Sequence, residues 1–252
     1  MRPGEGGEEG RPETLLERLT SLRALDLEVA SRASLAVVLP LVLLVAVGHV
    51  DWAPYASFGA MTSLYGRGEP YRQRARTVTI AAVCLLGSMA LGILMGVSKA
   101  PLPVLTLGLA GVIIGGILAA STGGLLPGTP IFFVFAYAVC AQVPTPAAEV
   151  LPRMLVGVAA AAFAWALTLS GWVLRRAAGE RSDALFKELP RRSPVRPAAY
   201  RDGQVWFTIV QNVVGVLAAG GLAILAGTGT GIGHPYWAVV SVVAVLPPPR
   251  AR

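Results

Sequence analysis

Charge is what this sequence has least of. Only 14% of its 252 residues are Asp, Glu, Lys or Arg, where soluble domains carry about 25%. Between Ala100 and Ala148 there is none at all. With 54% hydrophobic residues and a mean hydropathy of +0.64, the composition excludes an ordinary soluble domain and points to the membrane. Cysteine is equally sparse. Cys84 and Cys140 both sit in apolar runs, so neither a disulfide framework nor a metal site is expected, and both read as small packing residues. Histidine is limited to His49 and His234, and no Ser, His and acid grouping forms, so an enzyme, a cofactor and a metal are not expected. The glycine run Gly227 to Gly233 lacks a following Gly-Lys-Ser/Thr and a preceding strand, which argues against nucleotide binding. No ionisable side chain falls in the middle of an apolar run, which removes the usual mark of a proton relay. The first such run starts at Ala33, too late for a cleaved secretory signal.

The charge that is present is mostly positive, with a net +7. A nucleic-acid surface would gather that charge on one folded face. Here the arginines lie between apolar runs, the pattern expected of cytoplasmic loops, so nucleic acid is not an expected partner.

The most informative stretch is GHVDWAPYASFGAMTSLYGRGEPYRQRAR, Gly48 to Arg76. Its apolar part, Trp52 to Gly66, spans about 22 Å as a helix, short of the roughly 30 Å hydrocarbon core. A shorter copy of the layout recurs as GHPYWAVVSVVAVLPPPRAR, and setting Tyr55 against Trp237 aligns Gly59 with Ser241 and Leu64 with Leu246. The reading is a repeat, with both copies entered through Gly-His and left through arginines.

Residues 1 to 13 have nothing to bury, and the Thr14/Glu17 capping box starts a leucine-bearing helix expected near the membrane surface. Ala33 to Val50 is the first expected span, with a kink at Pro40, and Trp52 to Gly66 is a short second. A third lies between Arg76 and Lys99, followed by Leu102 to Ala120, a short Ile131 to Val143, and Met154 to Leu174. Gln204 to Ala226 is the seventh, and Pro235 to Leu246 an incomplete eighth. The expected architecture is therefore an all-α polytopic transmembrane helix bundle of about eight spans. It divides into a cytoplasmic tail and surface helix (1–30), a six-span unit (31–174), a basic cytoplasmic linker (175–203) and the start of a parallel second repeat (204–252), which makes the chain look truncated or completed by a second subunit. With the N-terminus inside, only Lys99 and Arg153 of the 21 Lys and Arg fall outside.

Small residues four apart (Gly92 and Gly96, Gly111 and Gly115, Gly157 and Ala161) suit close helix packing. His49 and Asp51 are either a solvated corner pair or a proton-coupling pair. Gln211 and Asn212 suit cross-helix hydrogen bonds or substrate contact. Arg67, Arg72, Arg74 and Arg76 suit anchoring at anionic lipid, while Arg67 and Arg72 beside a too-short helix also suit collecting an anion.

The segments YASFGAMTSLYG, YRQRARTVTIAAVCLLGSMALGILMG and YWAVVSVVAVLPP, over roughly residues 30 to 250, resemble the fusaric acid resistance protein-like (FUSC) membrane proteins. That resemblance implies a bacterial plasma-membrane exporter of small aromatic or other organic acids, built as a duplicated six-span unit. The expected path runs beside Trp52, Tyr55, Arg67, Arg72, Gln211, Asn212 and Trp237, with lipid and a small organic anion as partners. The alternative is a non-transporting subunit or anchor whose basic segment binds a partner.

Overall fold

The computed structural model describes residues 24–66, 69–178, 197–230 and 236–246. The expected disordered tail and capping box, Arg67, most of the basic linker, the Gly233-His234 lead-in and the last six residues fall outside it, as does the side chain of Trp237.

Within the described residues the chain is all-helical, without strands. Helices α1 (Ala24–Ala46), α2 (Ala53–Ala60), α3 (Tyr71–Val97) and α4 (Leu102–Gly123) are followed by α5 (Ile131–Gln142), α6 (Val150–Ala178), α7 (Gly203–Thr230) and α8 (Tyr236–Val245). Segments of four, 26, 22, 24 and 20 residues make the point about length: Met61–Leu64 merely prolongs α2 as a 3-10 turn, whereas Arg72–Val97, Leu102–Gly123, Ala147–Ser170 and Gly203–Leu222 are long and apolar enough to cross a membrane. Helices α2 and α8 are too short to do so, as their apolar runs predict.

Two boundaries differ from expectation. Helix α1 does not begin where charge ends at Ala33. It runs unbroken from Ala24 and buries Arg32, because a helix that packs on its neighbours can place a charged residue on its inner face. Likewise Arg72, Arg74 and Arg76 are not in a loop. Pro70 caps α3 with an extended backbone (φ −58°, ψ 145°), and the Arg and Gln that follow are good helix formers, so they occupy its first turns.

Helix packing uses the absence of side chains. A Cβ at Gly59 would lie 2.3 Å from the Gly157 carbonyl oxygen and 3.0 Å from the Ala161 nitrogen, so α2 and α6 meet backbone to backbone. A Cβ at Gly92 would lie 2.6 Å from the Tyr137 carbonyl oxygen, which joins α3 to α5 in the same way. Gly111 and Gly115 share the spacing yet meet nothing, because they lie on the exposed side of α4. The core fills the space between these pairs, with Tyr55, Phe58, Tyr65, Leu85, Met89, Ile113, Phe133 and Tyr137 buried together. Val38, Leu39, Val42 and Leu43 of α1 and Phe207, Val210 and Val214 of α7 remain exposed, an outer surface suited to hydrocarbon. The two short helices share a neighbour, since α2 and α8 both pack against α5.

Candidate functional site

The polar corner before α2 is built by backbone turns. Gly48, at φ +80°, reverses the chain after α1, and a 3-10 turn, Val50–Trp52, feeds directly into α2. His49 and Trp52 stack at 4.2 Å with planes 19° apart. Asp51, between them, projects toward the start of α6.

There it meets Arg153, the centre of the site. Arg153 is 4% exposed, and every N–H group of its guanidinium is taken. Its Nε and Nη2 donate to Glu149 Oε2 at 2.9 and 2.6 Å, one helical turn back. Nη2 also donates to Asp51 Oδ2 at 3.2 Å. Nη1 reaches the Pro144 carbonyl at 3.0 Å, Thr145 Oγ1 at 3.1 Å and the Tyr55 hydroxyl at 3.3 Å. The Tyr55 ring is fully buried 5.5 Å from the guanidinium carbon, and its hydroxyl shares a 2.8 Å hydrogen bond with Thr145. One side chain at the start of α6 thus binds the entry to α2 and the α5–α6 connection. A buried guanidinium needs this saturation, since an unpaired charge there is strongly unfavourable.

At the opposite end of α2, Arg74 is fully buried in the second turn of α3, and its Nη1 approaches the Thr168 carbonyl of α6 at 3.4 Å. Glu69 and Arg32 are buried as well. Arg74 therefore serves protein packing rather than the lipid anchoring expected of it. Arg72 is exposed.

The expected path residues are only partly gathered. His49, Asp51, Trp52 and Tyr55 form one corner, and Arg72 stands beyond the other end of α2. Gln211 is half-buried and Asn212 buried on α7, which packs on α4 and α8 rather than on α2. Asn212 makes no cross-helix bond among the described residues. Its Nδ2 donates to Thr208 O of its own helix at 2.9 Å, and its Oδ1 lacks a hydrogen-bond partner.

Arg153 is the functional residue that sequence reasoning passed over. It counted only as one of two exceptions to the charge asymmetry, although its companion Lys99 is exposed and Arg153 is buried. The available signal was Glu149, placed i,i−4 on the same helical face.

Comparison with known proteins adds the membrane setting. The chain is 29% identical over 126 residues to an uncharacterised membrane protein, YvaC, of Bacillus subtilis (strain 168), an alignment covering 50% of this chain. The chain spans about a fifth of the length of that curated relative. No family model matches the chain, and no solved structure does. A membrane-protein relative and several long apolar helices together make this a multi-pass membrane protein.

Proposed function

We infer that the chain belongs to a secondary exporter of small organic anions in a bacterial plasma membrane, with the path beside α2. The observation that carries this reading is a helix too short to span, Ala53–Ala60 with its 3-10 extension, held between a buried arginine at each end. A helix that ends at membrane depth leaves backbone groups that must face protein, water or ligand, and such broken segments are where transporters place their sites. Arg67 and Arg72 then collect the anion at the cytoplasmic mouth, and Trp52 and Tyr55 lie where it leaves. The charge asymmetry of the loops supports a cytoplasmic N-terminus and a cytoplasmic 175–203 segment.

Export of labelled benzoate from cells producing the protein tests the path. Arg67→Gln with Arg72→Gln should raise the internal concentration needed for half-maximal export while leaving the amount of membrane-inserted protein unchanged. Unaltered export kinetics at normal expression would return these arginines to the role of lipid anchors.

Orientation is checked separately. With Cys84 and Cys140 replaced by Ala, a cysteine at exposed Lys99 should react with an impermeant thiol reagent added outside, and one at exposed Arg201 should not. The reverse labelling would invert the pathway.

A further inference from the structure

We propose that Asp51 is a tethered stand-in for the carboxylate of a small organic acid, and that Arg153, Tyr55 and Thr145 form the site such a ligand enters when Asp51 swings out. The inference rests on the anion-transport reading for its ligand class.

Because every N–H group of Arg153 is occupied, a ligand can bind only by displacing a present acceptor. The acceptors are unequal. Glu149 takes two bonds, at 2.9 and 2.6 Å, from one helical turn back, the Pro144 carbonyl is fixed in the backbone of the α5–α6 connection, and Tyr55, fully buried, holds the half-buried Thr145 hydroxyl at 2.8 Å. Asp51 holds by a single 3.2 Å contact, and its side chain is 57% exposed against 5% for Arg153. With its side chain 57% exposed against 39% for Glu149, and one bond to break against two, it is the carboxylate that leaves toward solvent most readily.

Replacing it by another carboxylate exchanges like for like. Arg153 remains neutralised throughout, so the exchange avoids exposing an unpaired buried charge. The incoming group gains the Nη2 donor, with the Tyr55 and Thr145 hydroxyls adjacent through Nη1. The stacked His49 and Trp52 flank Asp51 in sequence, so a planar acid would arrive beside a ring surface. Departure of Asp51 also removes the contact that ties the 3-10 turn before α2 to α6.

Benzoate serves as the probe, with binding to the purified chain in lipid nanodiscs measured by calorimetry at constant ionic strength and without any ion gradient. Asp51→Asn removes the charged competitor but keeps the shape. It should tighten benzoate binding about fivefold to tenfold, since a neutral amide holds a guanidinium roughly half as strongly as a carboxylate does. Arg153→Gln should abolish the tightening when combined with Asp51→Asn, and Lys99→Gln, at an exposed position outside the path, should leave it intact. Unchanged or weaker binding in Asp51→Asn, or no benzoate binding to either form, would overturn the site. Tighter binding in Asp51→Asn with no export of any acid would retain the site and reject the exporter. Export accompanied by unchanged Asp51→Asn affinity would do the opposite.

Discussion

The two ends of the short helix α2 hold positive charge in opposite ways. The arginine-rich end supplies Arg67, Arg72, Arg74 and Arg76 in quick succession, yet of the three among the described residues Arg72 and Arg76 face outward and Arg74 alone is buried. The other end supplies a single buried arginine, and that one is bonded by five residues from three chain segments. Abundance in the sequence therefore says little about which guanidinium organises the fold. What decides is whether acceptors converge on it, because a buried cation persists only where its donors are met.

The sharpest way to break this comparison is to separate α2 from α6, which carries both arginine contacts. Gly59→Ala would push a methyl group to 2.3 Å from the Gly157 carbonyl, with backbone rather than a flexible side chain in the way. A loss of about 3 kcal/mol is expected from such overpacking, read as a shifted midpoint in SDS titration of detergent-solubilised protein. An unshifted midpoint would mean that the two helices are not in this contact.

Removing acceptors one at a time sharpens the account of the Arg153 end. Glu149→Ala takes away two bonds and should cost about 2 kcal/mol. Asp51→Ala takes away one long bond from an exposed carboxylate and should cost under about 1 kcal/mol. Equal losses in the same titration would show that Asp51 is not the weaker tie.

The smallest effect belongs to the arginine-rich end. Arg72→Gln, at an exposed position, should change stability by less than about 0.5 kcal/mol. A larger loss would place Arg72 in a packed role like that of Arg74.

How much of this was legible varies by residue. The short α2 followed from the spacing between Asp51 and Arg67, and α5 from the turn residues before Ile131, because apolar run length and helix breakers act locally. The start of α3 was not legible from charge, since arginines mark loops in membrane proteins yet are good helix formers once Pro70 has set the first turn. The polar corner was half legible. His49, Asp51, Trp52 and Tyr55 are neighbours in sequence, whereas Arg153 lies about a hundred residues further on.

By itself the sequence determined that this is an all-helical membrane protein and where most of its helices run, since hydrocarbon forces backbone hydrogen bonds to close within each apolar segment. Only the tertiary structure decided which glycines meet backbone. Gly92 and Gly111 sit in equal spacings, but the face a helix turns inward depends on all its partners together. Only the tertiary structure, too, made Arg153 the hub, because convergence of acceptors from the 3-10 turn before α2, α2 itself and the α5–α6 connection is a property of packing that no single segment contains.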